Sequence, residues 1–205
     1  MILLIESLIL LMALVLIVHA RQHFSDRFVW MFWGSGMILG ILREIALVKI
    51  VGLYSYGDFN LTILGFPLIY LILWTNITYI AWQWANNYLD REYLKAKPWD
   101  QHLPLIFLTG VLIAFFMEAL FSMYGLIIWK IDASRMIWGG TPLLAPFAYG
   151  FTAIAFISSV KVLSRETPQK WPTLALKLIL AQPLAVLIIL GLLLLTNLLI
   201  ILIFS

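Results

Sequence analysis

Six apolar stretches follow one another along this chain with little polar sequence between them, and they leave few folds open. They cover approximately residues 2–18, 28–53, 61–85, 103–129, 142–163 and 174–204. A membrane-spanning helix needs roughly 20 mostly apolar residues. The whole chain of 205 residues is 63% hydrophobic and 11% charged, with a mean hydropathy of +1.02. Soluble domains carry about 25% charged residues, enough to clothe a surface in water. A chain this short and apolar cannot do that. The expectation is an all-α, polytopic transmembrane bundle of about six helices, forming a single integral membrane domain over residues 1–205. The sixth stretch is long and contains Pro183, so two short helices, and seven crossings, are the alternative.

Cysteine is absent, which excludes disulfides, a thiolate nucleophile and cysteine metal sites. The first stretch is read as a retained helix, because Glu6 stands where a signal peptide would carry basic residues and His19-Ala20-Arg21 is not a small-residue cleavage site. Basic residues set the expected orientation. Nine Lys and Arg fall in the connections after stretches one, three and five, against three after two and four. Both termini are therefore expected on the non-cytoplasmic side of a cell membrane, with the lipid bilayer as the principal partner. Eight tryptophans (Trp30, Trp33, Trp82, Trp84, Trp99, Trp129, Trp138 and Trp171) lie near predicted helix ends and read as interfacial anchors.

Two stretches of the chain resemble each other. The first reads Arg43-Glu44, then Gly52-Leu53-Tyr54-Ser55-Tyr56-Gly57-Asp58, then Gly65-Phe66-Pro67-Leu68. The second reads Glu118, then Gly125-Leu126-Ile127-Ile128-Trp129-Lys130-Ile131-Asp132, then Gly140-Thr141-Pro142-Leu143. Both run in the same direction, so helices 2–3 and 4–5 are expected to form a parallel repeat about an axis along the membrane normal. Proline in the first turn of a helix lacks only an N–H that had no partner there, so each Gly-x-Pro-Leu also reads as a plain helix start.

The acids need another explanation. Glu44 and Glu118 lie some 10–12 Å inside their helices, counted back from the Gly-Leu pair at 1.5 Å per residue. A carboxyl at that depth costs a few kcal/mol unless it is paired, protonated or turned into the bundle. Helix neighbours point about 100° apart, so Arg43 is expected to pair across the bundle rather than with Glu44. Either the acids form structural interhelical pairs with Arg43, or one is a desolvated acid suited to donating a proton. Asp58 and Asp132 fall in the matching outer loops beside Tyr54, Tyr56, Trp129 and Trp138; they read as turn formers or as groups positioning water. Asn76 and Asn197 are expected to make interhelical hydrogen bonds.

The run from Glu44 through Gly52-Leu53-Tyr54-Ser55-Tyr56 to Gly65-Phe66-Pro67-Leu68 and Trp74 resembles the first signature of the carotenoid biosynthesis membrane proteins typified by bisanhydrobacterioruberin hydratase. Gly125 to Trp129 with Gly139-Gly140-Thr141-Pro142-Leu143 resembles the second. The likeness covers residues 39–156. It departs at Ala145-Pro146-Phe147, where that family tends to place an Asn-Phe and a Trp, and at Glu118, where Asp is more usual. The resemblance implies addition of water to a terminal carbon–carbon double bond of a long isoprenoid or carotenoid. Glu44 and Glu118 would be acid and partner base, and Asp58 or Asp132 would position water. Arg43, Tyr54, Tyr56, Trp74, Trp129 and Trp138 would line the substrate. Aromatic faces stabilise a cation, and neither metal nor organic cofactor is required.

An isoprenoid cyclase shares the protonation step and differs in what captures the cation. An accessory subunit with membrane-protein partners, or a transporter, would use the same faces for packing or passage. Lys49, Lys130, Lys161 and Lys177 lie at predicted helix ends, which speaks against a retinal Schiff base. The histidines His19, His23 and His102 lack metal-site spacing apart from the i, i+4 pair His19/His23. No glycine-rich phosphate loop is present, and nothing points to nucleic acid.

Overall fold

The computed structural model describes residues 2–95, 100–131, 138–165 and 171–204. Six long helices occupy most of them: α1 (Ile2–His23), α2 (Asp26–Glu44), α3 (Leu68–Leu89), α4 (His102–Met123), α5 (Leu144–Arg165) and α6 (Trp171–Phe204). α6 runs through Pro183 without a break, so among the described residues no seventh helix arises. Its 34 residues make it about 50 Å long, enough to cross a bilayer with tilt.

Five helices, all but α3, are long and apolar enough to cross a membrane, which makes this a multi-pass membrane protein by composition. Leucines on α1, α4 and α6 such as Leu8, Leu112 and Leu187 are more than half exposed, as lipid-facing residues must be. α3 differs for a physical reason. It packs against α1, α2, α4 and α5, and its Tyr70, Trp74, Thr75, Asn76, Thr78 and Tyr79 are all buried. A helix sheathed by its neighbours has no need of an apolar surface. Asn76 accepts a hydrogen bond from Trp33 Nε1 of α2 at 3.0 Å, the interhelical role expected of it.

Apolar side chains gain nothing by leaving lipid for one another, so helix association rests on close packing of small residues. Gly36 and Gly40 give α2 a Gly-x-x-x-Gly face against α3. A Cβ on Gly40 would sit 2.7 Å from the Leu71 carbonyl, and one on Gly36 would meet Thr75. Gly110 of α4 and Gly150 of α5 meet in the same way, at 3.3 Å.

One apolar stretch begins in strands rather than helix, and another ends in one. Residues 61–67 form a hairpin of β2 (Thr62–Ile63) and β3 (Phe66–Pro67). Beyond α4, β4 (Ile127–Trp129) pairs antiparallel with β1 (Tyr54–Tyr56). Glycines with positive φ interrupt the helical path at each place: Gly52 and Gly65 in the first half, Gly125 and Gly140 in the second. The tryptophans also depart from expectation. Trp30 and Trp84 are exposed, but Trp33 and Trp82 are buried in a cluster with Phe32 and Tyr79. Their rings find aromatic partners on neighbouring helices, which outweighs an interfacial position. Trp99 lies outside the described residues.

Candidate active site

Glu44 is the last residue of α2 and is fully buried. Its Oε1 accepts from Arg43 Nη1 at 2.7 Å, and its Oε2 accepts from Tyr54 Oη at 2.6 Å and from Tyr56 Oη. The adjacent Arg43 does pair with it, contrary to the expectation drawn from side-chain directions. Long side chains close the angle that their Cβ atoms open. Arg43 also reaches across to α3: its Cζ lies 3.1 Å from the centroid of the Trp74 ring. A desolvated contact of this kind is worth about 2 kcal/mol.

What turns Glu44 toward the tyrosines is the backbone that follows it. Residues Ile45–Ile50 form a π-helical turn, with Val51 N bonded to Ala46 O at 2.9 Å. Such a turn holds one residue more than an α turn. The first sequence unit has one residue more between its acid and its Gly-Leu than the second has, and the wide turn absorbs it.

Glu118 projects from α4 and is likewise buried. Its Oε1 accepts from Tyr149 Oη of α5. Its Oε2 has no hydrogen-bond partner among the described residues. Aromatic rings close the space between the acids. Trp74 and Tyr149 stack with centroids 3.5 Å apart, Tyr54 lies 4.8 Å from Trp129, Tyr56 4.9 Å from Tyr70, and Tyr70 5.4 Å from Phe121. Burial first, and then the Glu44 charge, push the Tyr54 and Tyr56 phenols well above the ordinary value. Arg43, bonded to Glu44, lies over the Trp74 ring, which stacks on Tyr149, the donor to Glu118. Both acids therefore act on one chamber.

Of the residues singled out from sequence, Arg43, Glu44, Tyr54, Tyr56, Trp74, Glu118 and Trp129 come together here. Asp58 does not; it is exposed just beyond β1. Asp132 lies outside the described residues, and of Trp138 only the backbone, opening a 3₁₀ turn, is described. Tyr149, Tyr70 and Glu6 were not anticipated as parts of the site. Tyr149 was legible, since it stands as far beyond Pro142 as Trp74 does beyond Pro67. Glu6 of α1 is buried and accepts from the Asn60 and Leu61 amides, each at 3.0 Å, fastening the loop between β1 and β2. No sequence spacing links it to that loop.

Chemically, the chamber offers one carboxyl engaged by three donors, a second with a free oxygen, and aromatic faces between them. It can pass a proton and stabilise a cation. Tyr56 and Trp129 are half-buried and the rest of the cluster is buried; a cleft of about 1240 Å³ lies apart from it, lined by His19, His23, Trp82, Asn86 and Arg91. There His19 Nδ1 bonds Tyr79 Oη at 2.8 Å. Among the described residues no three His, Cys, Asp or Glu side chains gather as metal ligands. Comparison with models of protein families, with curated proteins and with solved structures finds no match.

Proposed function

We propose that the protein is a membrane enzyme of isoprenoid or carotenoid metabolism that hydrates a terminal carbon–carbon double bond of a long polyene by acid catalysis. One observation carries the reading: a buried carboxyl, Glu118, has one oxygen held by Tyr149, whose ring stacks on Trp74, and the other unengaged among the described residues. Hydrating an unactivated trisubstituted alkene requires a proton delivered to one carbon and a tertiary cation sheltered until water adds to the other. Glu118 gives the proton, and its carboxylate recovers one from the water as the C–O bond forms. The sum is alkene plus water to tertiary alcohol, with no change of oxidation state. Glu44 serves as an anchor, since its three donors tie Arg43, Tyr54 and Tyr56 in place. The resemblance of these segments to the carotenoid hydratase signatures points the same way.

In this reading the two units surround an axis along the membrane normal. Ser55 and Ile128, which stand equally far beyond Gly52 and Gly125, pair with each other in the β1–β4 ribbon. Trp74 and Tyr149, equally far beyond Pro67 and Pro142, stack on each other. Equivalent residues in mutual contact are what a two-fold axis produces. The charge bias would set the ribbon, and with it the chamber, at the non-cytoplasmic face.

The test is expression in a bacterium that accumulates lycopene, with pigments separated by liquid chromatography and weighed by mass spectrometry. A product heavier by one water is expected, and its absence from cells containing inserted protein would refute the assignment. A product of unchanged mass and shifted retention would make the protein a cyclase.

A further inference from the structure

Tyr70 takes no part in the contacts that hold Glu44 and Glu118, yet it sits between them. Its ring packs against Tyr56, whose hydroxyl bonds Glu44, and against Phe121, one turn beyond Glu118 on α4. The Tyr70 hydroxyl is buried and has no hydrogen-bond partner among the described residues, and the same holds for Glu118 Oε2. They are two of several buried polar atoms in this cluster without a partner, Arg43 Nε and Trp74 Nε1 among them. Nearly all buried polar atoms in folded proteins are satisfied by protein or by water, and a polar gap too wide for a direct bond is commonly bridged by one.

We infer that Tyr70 Oη and Glu118 Oε2 together bind a single water molecule. The inference rests on the hydratase reading for its consequence: this is the water that adds to the cation. With Tyr70 orienting it, its oxygen forms the bond to the tertiary carbon, and its proton passes to the Glu118 carboxylate that has just protonated the other carbon. Tyr70 is a positioning residue for the nucleophile. A water needs at least two polar partners in an otherwise apolar place, and these two side chains supply them.

Tyr70→Phe removes the hydroxyl and little else, and it is read in two ways. In purified protein, thermal unfolding shows whether the hydroxyl is engaged. Loss of a water-binding group lowers the Tm, whereas loss of a dry, unsatisfied hydroxyl leaves it unchanged or raises it; the second result overturns the inference. In lycopene-accumulating cells, Tyr70→Phe should cut the hydrated product about a hundredfold. Products of unchanged mass, formed when the cation sheds a proton, should persist. A merely structural lesion would reduce both together. Undiminished hydration by Tyr70→Phe would overturn the role of Tyr70 while leaving the hydratase reading intact. Failure of the unaltered protein to hydrate anything would sink that reading instead, and the Tm would still decide the water site.

Discussion

The two buried glutamates are alike in depth and unlike in company, and substitution should separate them. Glu44 neutralises Arg43 in a place without solvent. Removing one partner of a buried pair strands the other charge, at a cost of about 3–5 kcal/mol. Glu44→Gln should therefore lower the Tm sharply and reduce the amount of inserted protein. Glu118→Gln keeps an acceptor for Tyr149 and strands no cation. It should leave the Tm nearly unchanged and lower product formation by about 10²–10⁴-fold, the usual worth of a general acid. If the two variants behave alike in both assays, the division of roles is wrong. The tyrosines that bond Glu44 give a pH test. Their phenols are raised above the ordinary value of about 10, so the folded state holds protons that the unfolded chain releases above that pH. Their contribution to stability is complete below about pH 10 and is lost as pH climbs through the folded value. Phenolate absorbance in an alkaline titration should show late tyrosines, two fewer of them in the Tyr54→Phe/Tyr56→Phe variant; an unchanged number of late rings would contradict the burial of this pair.

Among the elements, α2 carries the sharpest packing constraint. Gly40→Ala drives a methyl into the Leu71 backbone, which cannot yield as a side chain end can. Overpacking of that kind costs about 1–3 kcal/mol. Gly34 lies on the same helix with nothing within 4 Å of its would-be Cβ. Gly34→Ala should stabilise the helix by about 0.5–1 kcal/mol. Thermal unfolding of the two variants in one detergent should shift in opposite directions, and equal shifts would place the α2–α3 contact elsewhere. The Gly-x-x-x-Gly spacing is visible in sequence, although nothing there says which neighbour it meets.

For the whole molecule, the β1–β4 ribbon ties the segment after α2 to the segment after α4, and the lack of cysteine makes it easy to probe. Opposed residues of an antiparallel pair have Cα atoms about 4.5–5.5 Å apart, within the span of a disulfide. Ser55→Cys with Ile128→Cys should cross-link under mild oxidation, detected as two thiols lost to maleimide without change of oligomeric state. Ser55→Cys with Leu64→Cys should not. A reversed outcome would dissolve the proposed axis together with the chamber that depends on it.

What the sequence determined by itself is the solvent and the inventory. Runs such as 103–129 can be satisfied only in lipid, because no backbone polar group can be left open there, and Glu44 and Glu118 stand out because a carboxyl at depth demands a partner. The ends of the helices were harder to place: residues 61–67 and 127–129 are as apolar as helix, and only positive φ at Gly65 and Gly125 with strand pairing makes them strands. Tertiary structure alone decided the partnerships. Arg43 lies against Trp74, Tyr149 bonds Glu118, Glu6 holds Asn60, and Tyr70 stands between the acids. Hydrophobic pattern records which residues leave water and at what depth. It does not record azimuth, and the azimuth of each helix, set by glycine contacts and one π turn, determines which side chains meet.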